Sequence, residues 1–349
     1  MPQPSFTQEF SDQFHPPPVT YVDLTGKTAI VIGANTGIGL EAAKHFARMN
    51  PGRLILGCRS KERGEMAGLE INAETNYDKT EVWNIDLSKF SSVVSFAERV
   101  QNDGGRLDIV VANAGIAASS LEFTEDGWES TYQINYISGA LLSLLLFPRM
   151  LETAKEYNTT PRITLVVSRL HYLAKFDTNL IDSPNALRLL GHKDHFMDRL
   201  KQRKYNGDDI YAESKLLGVY FARSFADRLG DKPLIINTVD PGFCNSSIGR
   251  YKKGVDSFIF GLLSKAIGRT PEEGSRQLVW AAVGGENEKG RLRGAFVDMA
   301  SKVGSLSAYG ESEAGRTAQD KLWDNLIEEL TQINSNVQIY AKKYLSGPV

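Results

Sequence analysis

Cysteine is almost missing from this 349-residue chain: Cys58 and Cys244 are the only two. They cannot build a disulfide framework, and with no CxxC pair they offer no zinc or redox motif. A reduced, cytoplasmic setting is expected. A dominant charge is missing too. Forty Lys and Arg stand against 42 Asp and Glu, for a formal net charge of −2. That leaves no positive excess to neutralise a phosphate backbone, so nucleic acid is excluded as a partner. Histidine is scarce, and His192 and His195 lack a third ligand at a recognisable spacing. They read as a solvated loop or short helix, and no metal site is expected. Long hydrophobic runs are also missing. The most apolar stretch, Leu141–Phe147, is cut by Pro148 and Arg149, which is too short to span a bilayer and reads as a buried helix. Residues 1–20, with Pro16-Pro17-Pro18 near their end, hold no leader-like apolar run and read as a flexible arm.

What is present alternates. Short aliphatic or β-branched runs at Thr28–Ile32, Leu54–Cys58, Glu81–Ile85, Ile109–Ala112, Ile163–Val167 and Leu234–Val239, with a weaker one at Gly294–Val297, read as strands. Helical patterns lie at Ile38–Met49, Lys61–Thr75, Phe90–Val100, Trp128–Met150, Tyr211–Leu229 and Pro271–Val283, and Ala314–Ile333 adds an amphipathic helix. Thr270 is placed to cap the helix that opens with Pro271. Near-continuous apolar strands separated by helices imply an α/β fold, a doubly wound parallel sheet of Rossmann type covered on both faces. One domain is expected over 21–335, with insertions at 170–209 and 243–269 and a tail at 336–349. Ligands of such sheets bind beyond the carboxyl ends of the strands.

The first strand runs into Gly33-Ala34-Asn35-Thr36-Gly37-Ile38-Gly39 and then a helix. Glycines there allow a tight turn and close approach of backbone to a pyrophosphate at the helix's positive end. The second strand ends in Arg59 and Ser60, with Lys61 and Arg63 on the next turn, where NAD-specific sites usually carry an acid. A ribose 2′-phosphate, hence NADP(H), suits that charge. Asp86 and Leu87 follow the third strand, at the expected adenine position; a helix cap before Phe90 is the competing reading of Asp86.

Tyr211 and Lys215 are four apart, on one helix face whose next turns carry the small Gly218 and Ala222. An ammonium beside a phenol lowers its pKa from about 10. Asn113-Ala114-Gly115 ends the fourth strand, Asn135 lies early in a long helix, Ser168 ends the fifth strand, and Pro241-Gly242 follows the sixth with Ser246 beyond. Each polar residue alone has a plain structural reading as turn, cap or buried helix polar.

In this order the stretches Ile32–Glu41, Cys58-Arg59, Val111–Gly115, Tyr211-x-x-x-Lys215, Asp240-Pro241-Gly242 and Arg269–Gly274 resemble the short-chain dehydrogenase/reductase superfamily, over roughly residues 22–330. Within it, retinol-dehydrogenase-like and WW-domain-oxidoreductase-like members are the most similar. The resemblance implies a catalytic tetrad of Asn135, Ser168, Tyr211 and Lys215. In it Ser168 holds the substrate oxygen, Tyr211 moves the proton, Lys215 grips the nicotinamide ribose, and Asn135 holds a relay water. It departs from the family in having Ile32 and Ser246 where Thr is common, and in the long span of 43 positions from Ser168 to Tyr211 (211 − 168). The expected activity is NADP(H)-dependent carbonyl–alcohol interconversion on a bulky hydrophobic small molecule, such as a retinoid, steroid, terpenoid or polyketide-like compound. The alternatives are a non-catalytic NADP(H)-binding sensor and a sugar-nucleotide epimerase or dehydratase, the latter normally spaced GxxGxxG. Residues 255–267 read as a substrate lid, a membrane-surface helix or a packed helix, and the insertions at 176–206 and 250–267 are expected to shape substrate entry. A monomer or homodimer is expected.

Overall fold

Thr28–Ile32 is buried at every position and forms β1, and its alternating side chains feed two different cores. Ile30 and Ile32 pack with the helices of one layer, Ala29 and Val31 with those of the other. That two-sided burial is why the strand reads as a continuous apolar run. The computed structural model describes residues 6–202, 206–245 and 264–345. In it β1 sits inside an eight-stranded sheet of order β3-β2-β1-β4-β5-β6-β7-β8. The others are β2 (Arg53–Cys58), β3 (Thr80–Asn84), β4 (Ile109–Ala112), β5 (Arg162–Val166), β6 (Ile235–Val239), β7 (Phe296–Val297) and β8 (Val303–Gly304). Only β7–β8 is antiparallel. The doubly wound Rossmann-type sheet is therefore as expected, with β8 added at one edge.

Ile32 pairs with Gly57 on one side and Ala112 on the other, so the strands end level. Strand order reverses between β1 and β4, which opens a crevice at their carboxyl ends. Helices α2 (Gly37–Arg48), α3 (Lys61–Thr75) and α4 (Phe90–Asp103) link the first strands. Helix α10 (Pro271–Val283) opens with a complete capping box, in which Thr270 and Glu273 each bond the other's backbone N–H.

Helix α5 runs over Ser130–Tyr157 and is long and apolar enough to cross a membrane, yet 72% of its apolar window is buried inside the fold. Pro148 lies within it without ending it. A helix-interior proline costs about 3 kcal/mol, which burial of Leu141–Phe147 offsets. Near its start, Gln133–Ile137 form a π-helical turn that a 3.6-residue pattern does not announce.

Three expectations change. The arm is not featureless: Phe6–Phe14 form helix α1, held against distant loops. Insertion 170–209 is ordered in its described part, with α6 (Thr178–Ile181), α7 (Ala186–Gly191) and α8 (Lys193–Gln202). They pack on α9 (Gly207–Leu229) and α11 (Glu313–Ile333), where Arg188 Nε donates to Glu329 at 2.6 Å and the Ala186 N–H to Asn325 at 2.9 Å. The tail carries α12 (Asn336–Tyr344), anchored by buried Val337. The lid and membrane readings of 255–267 fall largely outside the described residues, which resume at Ser264. Among the described residues no group of three His, Cys, Asp or Glu could hold a metal, and His192 instead packs edge-on against Trp128 at 5.2 Å.

Candidate active site

A cavity of about 870 Å³ runs along the carboxyl edge of the sheet. At one end the chain leaves β1 through Gly33, with φ of 81°, where a Cβ would lie 2.9 Å from the Ala114 backbone. Gly37 is also left-handed, at φ 61°. Gly39 sits behind the turn, and any side chain there would collide with the Gly33 carbonyl and Asn113. Asn113 Nδ2 donates to that carbonyl at 3.1 Å, tying the turn to the end of β4. Thr36 occupies the N-cap of α2 but makes no side-chain cap bond. Asn35, Thr36, Gly37 and Ile38 line the cavity, so the helix's positive end faces it. This cradle fits a pyrophosphate: small residues, free amides, and no acid to repel an anion.

Beyond the turn the wall is formed by Arg59, Ser60, Arg63, Asp86 and Leu87. Arg59 is exposed and its guanidinium has no ion pair among the described residues. Ser60 caps α3 by accepting from the Arg63 N–H. Asp86 is not the cap of α4. Its Oδ1 accepts from both the N–H and the hydroxyl of Ser88, closing a local turn, while the Phe90 N–H goes to Asp126.

At the other end Ser168, Tyr211, Lys215, Pro241 and Gly242 line the cavity together with Asn113, Ala114 and Gly115. The long connection does not separate Ser168 from Tyr211: both line this end of the cavity, one just after β5 and the other on α9. The two side chains are near enough that Ser168 favours ionisation of the phenol. The Ser168 hydroxyl also accepts from the Leu170 N–H, so capping and site roles coexist. His171 supports this turn: its Nδ1 lies 2.7 Å from the Ser168 carbonyl, which can only accept, so Nδ1 carries the proton. Burial holds that imidazole neutral, with its pKa pulled down to about 4. Lys215 Nζ lies 5.4 Å from the centre of the Tyr211 ring and donates to the Val166 carbonyl at 2.9 Å. Burial pulls its pKa down to about 8, against an upward pull from Asp240.

The tyrosine runs against expectation. In the protein alone burial pushes its phenol upward, and nearby Asp240 adds to the rise; the polar Ser168 side chain acts the other way. The i,i+4 spacing identifies the neighbour but carries nothing about the low-dielectric surroundings that win here. Asn135 also differs. It does not line the cavity but stands behind Gly115, where a Cβ would come within 3.2 Å of Asn135 Oδ1 and 3.4 Å of Lys215 Nζ. Its Oδ1 accepts from the Ile116 N–H at 2.8 Å, and Nδ2 donates to the Ile116 carbonyl at 2.9 Å and Ser214 Oγ at 3.0 Å. The π turn aims it at these partners. Ser246 lies outside the described residues.

Two contributors escaped the sequence reading. Asp240 is 2% exposed, its Oδ1 accepts from the Gly242 N–H at 3.2 Å, and burial pushes it up to about 6. Its place directly after the sixth strand, in Asp240-Pro241-Gly242, was the available signal. The second is a buried triad in which Arg199 of α8 donates to both oxygens of Glu213 at 2.7 and 2.8 Å and to the Tyr132 hydroxyl at 3.0 Å. Tyr132 also bonds Glu213 directly. The triad clamps the insertion to the helix bearing Tyr211 and to the residue before the π turn. Residues 176–202 therefore serve as a buttress, and none of them lines the cavity, contrary to the expected entry role.

The sequence model described as short chain dehydrogenase matches residues 27–158. The chain is 33% identical to the short chain dehydrogenase/reductase dmxR8 of Cryptosporiopsis sp., over 94% of this chain and 98% of that one. It is 34% identical to the short-chain dehydrogenase anuD of Penicillium roqueforti, over 93% and 82%. Among solved structures, the fold matches the NADPH-bound carbonyl reductase from chicken fatty liver with a TM-score of 0.55 at 19% identity, covering 80% of this chain and 99% of that one.

Proposed function

This chain belongs to the short-chain dehydrogenase/reductase family, and from that premise we propose that it is an NADP(H)-dependent reductase of a ketone or aldehyde on a bulky hydrophobic molecule. The hydroxyl residues Ser168 and Tyr211, side by side in the cavity wall, with the Lys215 ammonium 5.4 Å from the tyrosine ring centre, carry this reading. A bound nicotinamide would supply hydride to the carbonyl carbon. The chain's own residues do the rest. A carbonyl oxygen placed between Ser168 Oγ and Tyr211 Oη accepts from both, which fixes the carbon's position and lowers the cost of negative charge growing on oxygen. Tyr211 then releases its proton to that oxygen, and the phenolate left behind is stabilised by Lys215. Ser168 is too weak an acid to be the donor, and a Lys215 that gave up its own proton would cease to stabilise phenolate. Asn135 acts as a positioning residue, joining the end of β4 to α9 through Ile116 and Ser214. Arg59, with no acid beside it, favours a 2′-phosphate over a bare hydroxyl. The apolar residues near the Ser168–Gly242 end of the cavity, Phe10, Leu170, Phe243 and Ile267, favour a hydrophobic substrate.

Tyr211→Phe removes only the hydroxyl. Turnover should fall about 10²–10⁴-fold while NADPH affinity changes little. The test is a panel of carbonyls with NADPH and alcohols with NADP+. Near-normal turnover of any verified substrate by this variant would defeat the mechanism, and binding of NADPH with no turnover across the panel would favour a sensor.

A further inference from the structure

Helix α1 begins the described chain and ends against its catalytic centre. Glu9, Phe10 and Gln13 line the same cavity as Ser168 and Tyr211. Gln13 is 7% exposed, and all of its amide is used: Nε2 donates to the carbonyls of Phe243 at 2.7 Å and Ile267 at 2.9 Å, while Oε1 accepts from the Phe243 N–H at 3.0 Å. Arg269 is 3% exposed; it donates through Nε to the Gln13 carbonyl at 3.1 Å and also bonds the Asp12 carbonyl. Glu9 reaches Arg169, the residue after Ser168, at 2.6 Å. All of these partners lie at the Ser168–Gly242 end of the cavity, away from Arg59. A nine-residue helix could not persist alone, so these contacts hold it in place. Its cost is borne at the one end of the cavity where substrate chemistry occurs.

We propose that α1 is a wall of the substrate chamber and that Phe10 is a specificity-determining residue, its ring selecting for large, flat carbonyl compounds. The inference rests on the reductase reading above and adds to it a cause for substrate choice. Phe10 is 55% exposed, and its ring centre lies 5.0 Å from that of Phe14 with the planes tilted by 60°, so it stands in the cavity wall instead of filling the core. Arg169 joins this wall to the centre: it follows Ser168, lines the same cavity, holds Glu9, and its charge pulls down the Asp240 carboxyl that burial raises.

The test uses full-length protein and three ketones of rising size: cyclohexanone, 1-tetralone and 9-fluorenone. Phe10→Ala should shift the ratio of kcat/KM for fluorenone over cyclohexanone at least tenfold downward, and Phe10→Trp should hold or raise it. A ratio cancels any uniform loss from misfolding. In parallel, hydrogen exchange over residues 6–14 of the unmodified protein should be slower than in an unstructured peptide, and slower again with NADPH. Ratios unchanged within twofold in both variants would overturn the proposal. If the unmodified protein reduces none of the ketones, the reductase reading fails for them, and exchange still decides the wall: coil-like rates with and without NADPH would overturn it.

Discussion

Asp240→Asn removes one buried charge while keeping the shape of the side chain and an oxygen to accept the Gly242 N–H. Burial raises this carboxyl from an ordinary 3.8 to about 6. A group whose folded pKa exceeds its unfolded one binds its proton more tightly in the native state. Its contribution is complete below about pH 4 and is lost as pH rises through about 6. A rise of roughly two units at about 1.4 kcal/mol each bounds that loss near 3 kcal/mol. The asparagine never ionises and avoids the loss. Urea unfolding followed from pH 4 to 7 should therefore show the variant gaining on the unmodified protein by up to about 3 kcal/mol across that window. Lys215 pushes the same way. Its pKa is already held down at about 8 by burial, and without the carboxylate it falls further. A lysine with a depressed folded pKa gains stability as pH rises, so the gap widens above neutrality. Activity should show the opposite face of this coupling, because Lys215 must stay charged to favour phenolate. The alkaline fall in kcat/KM should move to lower pH in Asp240→Asn. A stability offset that stays constant with pH, together with an unmoved alkaline limb, would refute the coupling of Asp240 to this site.

Arg59→Asp should narrow or reverse a preference for NADPH over NADH. One charge-assisted phosphate contact is worth about 1.5–3 kcal/mol, or roughly 10- to 150-fold in Kd, with the low end expected because Arg59 is exposed to screening ions; equal Kd values for the two cofactors in the unmodified protein would end the argument. Arg199→Ala withdraws the two hydrogen bonds that Glu213, 2% exposed, receives from this guanidinium. Stability should drop by about 3 kcal/mol in chemical denaturation. Glu213→Gln in the same chain should recover part of it, and a double variant no better than Arg199→Ala would show that the lost charge pairing is not the cause.

Legibility followed the range of the forces involved. The strands β1, β2 and β4 were plain because burial on both faces makes every residue apolar, whatever surrounds them. The ends of strands could be named as site positions because parallel strands in one sheet must finish on one edge. Ser168, just after β5, falls on that edge, and α9 carries Tyr211 to the same cavity although the chain between them is long. Local chemistry was plain as well, down to Thr270 as the cap of α10, although the reciprocal bond from Glu273 was not named. What was hidden depends on partners far along the chain. Gln13 bonds Phe243 across 230 positions, and no periodicity within Phe6–Phe14 announces that dock. The π turn needs Asn135 to face Ile116 and Ser214 at once, a demand set by two other segments.

Tyr211 shows the same division within one residue. Spacing alone put a cation on its face of α9, and the cation is there, 5.4 Å from the ring centre. Spacing could not supply the medium. Buried beside Asp240, the phenol is harder to ionise than in water, and Lys215 itself holds its proton less firmly. For a general acid in the reducing direction this state is useful. The proton stays on Tyr211 until charge develops on the substrate oxygen, and only then does transfer become favourable. Lys215 then contributes most to the phenolate that forms late in the reaction, not to a phenolate standing ready beforehand. On this reasoning Tyr211 should show no titration of its own below pH 9 in the cofactor-free protein, and an ultraviolet titration difference between unmodified protein and Tyr211→Phe would measure it. A phenolate signal from Tyr211 near neutrality would return the site to the simpler expectation, in which the lysine alone sets the tyrosine's acidity.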